Sequence, residues 1–497
     1  MNRDSKKQWW EQPTRSSYGR ACLGLAAGLL LGGRLWSGCT SDEDEGGTAG
    51  DATVAEMTGG ASDSIQETGG TGSGGAEGSG GASSGGTGGL VDSDSDGGQQ
   101  AAPDTDGTGG QTVPTYTPER YVTASAAPSA SPNAAGQTPA FEGQTQAAAP
   151  TTFSRVGLEV IASGLNHPWG VEVLPDGRFV VTEEGGNLRV ILADGTKLDP
   201  LPGVPEVSTQ GQGGLLDVTY DASDRTLCIT YAESRGAGET ATAAACTKAS
   251  GTENLTLEPF EKVFQQQPAW ASGLHYGSRF VFADDNTMYI TTGERSVEAA
   301  RGYAQDVTTT LGKVVRLQRD GSAPADNPFV NEGEVAAQVW SYGHRNLQSA
   351  ALDAEGRLWT VEHGPQGGDE LNRPEAGLNY GWPVITYGED YSGAPIGSGI
   401  TFQEGMEQPV YYWDPVIAPS GMAVYQGALF ADWQGDILVG GLVARAVVHL
   451  TMNNDQVQTE ERIVIGERVR DVAVGPFGEV YVVTDEDDGK LIRLTPG

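Results

Sequence analysis

Residues 340–372, WSYGHRNLQSAALDAEGRLWTVEHGPQGGDELN, read as an ordinary β-hairpin in the middle and as something else at both ends. One end sets His344, Arg345 and Asn346 side by side; the other offers His363, Gly364, Pro365, Asp369 and Glu370. Such groups are costly to bury, so their concentration where strands begin and end needs a reason. Further along the chain, Gln212 lies in GQGGLL, His275 in ASGLHYGSRFVF, and Arg468 and Arg470 in GERVRDVAVG. An imidazole can accept a proton near neutral pH, although a lone histidine more often caps a strand end. Alternate residues of a strand share a face, so Arg468 and Arg470 can reach one pocket. Their planar forks suit carboxylates; the plainer alternative is a solvated strand face. For Arg345 and Asn346 the plainer alternative is a surface salt bridge beside a turn. Five histidines and no cysteine cluster argue against a zinc site.

The elements that would position these residues are short strands. From residue 152 to 497, alternating apolar runs are separated by turn signals every ten residues or so, which predicts an all-β domain. A unit also recurs: LPDGRFVVTEE (174–184), ADDNTMYITTGE (283–294), DAEGRLWTVEH (353–363) and GPFGEVYVVTDE (475–486). Each has a tight turn at Gly or Asn, an alternating strand, then Thr and a carboxylate. A further strand precedes each one. Recurring strand pairs of this kind predict a β-propeller, and the length accommodates six four-stranded blades. Two packed sandwiches are the competing fold. The strand near Val156 to Ile161 is expected to complete the last blade and close the ring, removing exposed edges. In a propeller, loops from every blade meet at one channel mouth, so residues far apart in sequence can converge.

The rest of the 497-residue chain differs in texture. Residues 1–39 carry Arg3, Lys6, Lys7, Arg15 and Arg20 before an apolar run from Ala21 to Gly33, the pattern of an export signal. Leu35-Trp36-Ser37-Gly38-Cys39 resembles a lipoprotein box, which would make Cys39 a lipid-anchored first residue on the periplasmic side or cell surface. Residues 40–151 are Gly-, Ser-, Ala- and Pro-rich and acidic, with no apolar periodicity, and are expected to be a disordered linker. Much of the net charge of -36 sits there, so it says little about a substrate; it argues against nucleic acid as a partner. Cys228 and Cys246 flank SRGAGE, which reads as a hairpin turn; a disulfide is favoured over two buried thiols in an exported chain.

Taken in order, NHPWGVEVLPDGRFVVTEEGGNLRV, GVPEVSTQGQGGLLDV, AQDVTTTLGKVVRLQRDGSAPADNPF, WSYGHRN, EHGPQGGDELN, NYGWPVITYG and APSGMAVY resemble the soluble pyrroloquinoline-quinone (PQQ) dependent sugar dehydrogenases. That is the glucose/sorbosone dehydrogenase family, and the aldose sugar dehydrogenase branch in particular. The resemblance implies a six-bladed propeller with PQQ and calcium, oxidising aldose sugars to lactones and passing electrons to a quinone or other acceptor. It implies His275 as general base. Arg345, Asn346 and Gln212 would stand at the quinone, and Arg468 and Arg470 would clamp its carboxylates. The backbone carbonyls of Gly364 and Pro365 would hold calcium, a hard cation that takes carbonyl oxygens. Asp369 and Glu370 read as loop-structuring carboxylates, and His344 and His363 as structural hydrogen-bonders.

Two departures stand out. Glucose-specific members place an Asp before the base, where this chain has Leu274, so another group or a water must orient the ring. A third cation, a Lys in those members, falls near Val443, where Arg445 is a weak substitute. Two other readings compete with the enzyme: a calcium-dependent propeller hydrolase such as a lactonase, and a non-enzymatic propeller that binds glycan or protein.

Overall fold

In the computed structural model, which describes residues 116–497, the four repeated turn-and-strand units become the turn and second strand of four of six antiparallel sheets. Blade 1 contains Pro168–Val173, Phe179–Glu183 and Asn187–Ile191. Blade 2 begins at Leu215–Asp221, blade 3 at Gly277–Phe282, blade 4 at Leu347–Leu352, blade 5 at Pro419–Val424 and blade 6 at Val469–Val474. These six first strands contact one another in a ring, with blade 6 meeting blade 1. The fold is a six-bladed β-propeller.

The recurring residues explain the blade. Gly177 and Gly478 sit at φ +83° and +93°, so the turn between first and second strands closes without a Cβ penalty. The second strands Phe179–Glu183, Leu358–Glu362 and Val480–Thr484 are buried along their whole length because they lie between neighbouring blades. The recurring threonine joins blades: Thr291 Oγ1 donates to Leu347 O at 3.1 Å, and Thr182 Oγ1 donates to Leu216 O. The hydrophobic core is accordingly divided among the blade interfaces. One cluster joins blades 5 and 6 through Leu438, Val447, Val480 and Ile492; another joins blades 1 and 2 through Val180, Leu188, Leu215 and Ile229.

Arg155–Leu165 pairs antiparallel with the C-terminal strand Gly489–Pro496 and closes blade 6, as the strand near Val156 was expected to do. Cys228 and Cys246 face each other across the hairpin between the second and third strands of blade 2, Thr226–Gly236 and Glu239–Ser250, and are disulfide-bonded.

The expected linker ends earlier than residue 151. Arg120–Thr123 adds a fifth strand to blade 6, pairing with Arg155–Leu165. Beyond it, Ala134 N–H donates to Asp414 Oδ2 at 3.1 Å, and Gln144, fully buried, donates through Nε2 to Pro409 O at 3.0 Å. This segment lacks periodicity because it lies along blades 4 to 6 by side-chain and backbone hydrogen bonds and does not bury an apolar face of its own. Residues 1–115, which include the expected signal segment, Cys39 and most of the expected linker, lie outside the described residues.

Candidate active site

The loops that enter the first strands converge around a cavity of about 480 Å³ on the propeller axis. Gln212, Asn346, Arg468 and Arg470 line it, joined by His167, Trp169, Glu184, His363 and Asp485. His275 and Arg345 stand immediately behind this lining. The His275 backbone N–H donates to Gln212 Oε1 at 3.0 Å, and Gly277 N–H donates to Asn346 Oδ1 at 3.1 Å. Gln212 and Asn346 therefore hold the backbone on both sides of the histidine.

The ring of His275 is oriented by Glu294, whose Oε1 lies 2.9 Å from Nδ1. Glu294 is fully buried and also accepts the Ser296 N–H at 2.7 Å. This contact places the ring proton on Nδ1 and leaves Nε2 free to accept one. Leu274, by contrast, is exposed, and its place before the histidine carries no orienting group. The close approach requires Gly293: a Cβ there would stand 2.1 Å from His275 O. Burial, then the Arg345 guanidinium, push the His275 pKa down to about 4, against the opposing pull of Glu294.

The same device recurs in other blades. His344 Nδ1 lies 2.9 Å from Glu362 Oε1, and Glu362 Oε2 accepts the Arg345 backbone N–H at 2.6 Å. In blade 6, Asp485 accepts from Arg468 Nη2 at 3.2 Å and from Arg470. Burial alone would raise the Asp485 pKa, but Arg470, His167 and Arg468 hold it down to about 2. In each case the carboxylate ending the second strand grips the chain entering the first. That carboxylate is visible in every copy of the repeat, so its recurrence was the available signal for Glu294.

Arg345 is buried. Its Nη1 donates to His363 O at 3.0 Å and Gly364 O at 2.6 Å, while Nε has no acceptor. Arg470 Nε likewise has none. Buried guanidinium N–H groups without partners suit an anionic or carbonyl-bearing ligand, so the residues fit PQQ, with Asp485 as a competitor for its carboxylates. The fit to calcium is poorer. The Gly364 carbonyl already receives a cation, and Asp369 is occupied by backbone: Oδ1 takes Gly364 N–H at 2.9 Å, and Oδ2 takes Ile417 N–H and Ala418 N–H, each at 2.8 Å. Asp369 thus structures the loop, as expected. His344 is buried between Ser341 and Glu362, and His363 Nε2 donates to Pro419 O at 2.7 Å. Arg445 does not replace the third cation. It is exposed, 3.9 Å from Glu486, and Leu442 lines the cavity at that place.

Comparison with known proteins gives the family. The model of the glucose/sorbosone dehydrogenase family matches residues 165–493. The chain belongs to that family. An aldose sugar dehydrogenase of Escherichia coli, YliI, is 41% identical over 358 residues, 70% of this chain and 94% of the relative. The quinoprotein glucose dehydrogenase B of Acinetobacter calcoaceticus is 25% identical, over 69% of this chain and 90% of its own length. Among solved structures, the soluble aldose sugar dehydrogenase of Escherichia coli in its apo-form superposes with TM-score 0.65 at 40% identity, covering 69% of this chain and all of that one. The PQQ-bound aldose sugar dehydrogenase of Streptomyces coelicolor gives TM-score 0.56 at 27% identity, over 70% and 99%.

Proposed function

We propose that this member of the glucose/sorbosone dehydrogenase family oxidises an aldose at its anomeric carbon to the lactone, with PQQ as cofactor. The observation that carries the reading is the His275–Glu294 pair standing behind a cavity lined by Gln212, Asn346, Arg468 and Arg470. Bound there, PQQ would supply the hydride acceptor. His275 Nε2 takes the proton of the anomeric hydroxyl, and Glu294 stabilises the imidazolium that forms. Arg345 places positive charge where negative charge develops. Arg468 and Arg470 hold carboxylates. Calcium at the Gly364 and Pro365 carbonyls requires Arg345 to leave Gly364 O. Electrons then pass to a quinone or another acceptor.

Relatives named as aldose sugar and glucose dehydrogenases support this reading. The hydrolase alternative needs carboxylates and Asn converging on a metal; at the cavity Asn346 Oδ1 instead takes the Gly277 N–H, and Asp485 is held by Arg468 and Arg470. We also propose export and lipid anchoring at Cys39; the Cys228–Cys246 disulfide suits an oxidising compartment. The test is reconstitution: the protein with added PQQ, with and without calcium, reducing a dye in the presence of a panel of aldoses. Activity that needs PQQ supports the reading. A protein that binds no PQQ favours the binding propeller.

A further inference from the structure

A second cavity, of about 540 Å³, lies between the N-terminal segment and the outer strands of blades 4 and 5. That volume is in the range of small-molecule sites. Tyr411, Tyr412 and Trp413 form one wall; Pro128, Ala147, Val416, Ile417 and Val443 give small apolar surface. Val443 and Val464, which also line it, are exposed.

Ser125, Ser129, Thr145, Gln146 and Asp414 also line the cavity, and its buried end carries Glu460 and Arg462. Glu460 Oε2 accepts from the Tyr411 hydroxyl at 2.9 Å and the Trp413 indole N–H at 3.0 Å, and Oε1 accepts from Arg462, so that carboxylate is fully engaged. Arg462, 6% exposed, has no acceptor for Nε or Nη1. A buried guanidinium with unused N–H groups calls for an oxygen that only accepts. A flat ring bearing carbonyls offers an oxygen to Arg462 and apolar faces to Pro128, Val416, Val443 and Val464.

The position of the cavity suggests a role. Val443 N–H donates to Ile417 O at 3.1 Å, and Leu442 N–H donates to Ala418 O at 3.0 Å. Ile417 and Val443 line this cavity, while Ala418 and Leu442 line the catalytic one. A single pair of hydrogen-bonded segments therefore separates the two. Asp369 ties that wall to Gly364 through the hydrogen bonds described above.

We propose that this cavity binds the electron acceptor, a benzoquinone- or naphthoquinone-type ring. The proposal rests on the dehydrogenase reading. Oxidation of the aldose removes two electrons and two protons: the C1–H and O–H bonds break and a second C1–O bond forms. The quinone takes up two electrons and two protons, and its two C=O groups become C–OH. The electrons cross the wall from the catalytic cavity and the protons come from solvent. Arg462 stabilises negative charge on the ring oxygen until it is protonated.

The test begins with the full chain without added cofactor. Calorimetric titration with a short-tailed benzoquinone is expected to show one bound equivalent. Val464→Trp, at an exposed lining position, should weaken binding at least about tenfold, and Arg462→Met should weaken it as well. Arg462 also serves Glu460, so Val464→Trp is the variant that separates ligand loss from misfolding. In the reconstituted enzyme, Val464→Trp should raise KM for the quinone about tenfold while turnover with ferricyanide, which can enter the catalytic cavity itself, stays at the wild-type rate. Quinone binding that ignores both substitutions overturns the proposal. So does an equal loss with both acceptors, or occupation of the cavity by maltotriose or by a peptide of residues 40–115. A wild-type protein that binds the quinone but turns over with neither acceptor overturns the acceptor role through the dehydrogenase reading, and the retained binding tells that failure from failure of the site.

Discussion

His275 is poised by three influences of different sign. Burial and Arg345 favour the neutral ring, and Glu294 favours the charged one. Between about pH 4 and 6.5 the unfolded chain binds a proton that the folded chain does not, so the stability tied to the neutral ring is complete above pH 6.5 and lost as pH falls through about 4. NMR titration of the cofactor-free protein should show His275 neutral at pH 6 and protonating near pH 4. In Glu294→Gln the ring should titrate lower still, since the group that raises its pKa is gone. Turnover of that variant should drop by about a hundredfold, measured in the reconstituted enzyme. His275→Ala should retain PQQ binding and lose turnover; surviving activity would remove the histidine from the base role. Replacing both Arg468 and Arg470 by Ala should weaken PQQ about a hundredfold or more by loss of charge-assisted hydrogen bonds, read in a cofactor titration. At this scale the candidate residues were legible as types, but Glu294 was not singled out. Its contact with His275 spans the hairpin between two strands, and only Gly293 lets the two chains come close enough.

At the scale of the element, the repeat was readable because the turn, the strand and the carboxylate each answer a local need. The turn needs positive φ, the strand needs a buried face on both sides, and the carboxylate needs the N–H and cationic groups of the entering loop. Blade interfaces depend on single side chains at these positions. Thr291→Val keeps the shape but removes the bond to Leu347 O and the acceptor of the Arg279 N–H, and should cost about 2 kcal/mol, measured by denaturant unfolding. The disulfide closes the second hairpin of blade 2 around a sequence separation of 18. Replacing both cysteines by Ala should lower stability by about 3 kcal/mol while leaving cofactor binding intact, since neither cysteine lines the cavity.

Over the whole molecule, closure is the organising fact. Arg155–Leu165 joins the C-terminal strand, so the two ends of the domain share one sheet. Below the catalytic cavity, Arg279 crosses the channel axis to Asp217 at 2.7 Å and Asp471 at 3.0 Å, with its guanidinium 4.9 Å from the Trp169 ring centroid. Asp217 also takes Phe280 N–H, and Asp471 takes Val171 N–H, so these buried carboxylates tie adjacent blades together. Arg279→Met would leave both carboxylates without their cation and should cost about 3–5 kcal/mol. A thermal melt that does not move would show that the ring holds without this bridge.

The sequence by itself determined the repeating unit of four blades, their order and the types of group at the channel mouth, because alternation, turn chemistry and charge are local properties. The tertiary structure decided which of those groups meet. It paired His275 with Glu294, gave Asp485 to Arg468 and Arg470, turned Arg345 onto the Gly364 carbonyl, and laid residues 116–151 along blades 4 to 6. Those outcomes depend on distances across a closed ring, which spacing along the chain does not encode.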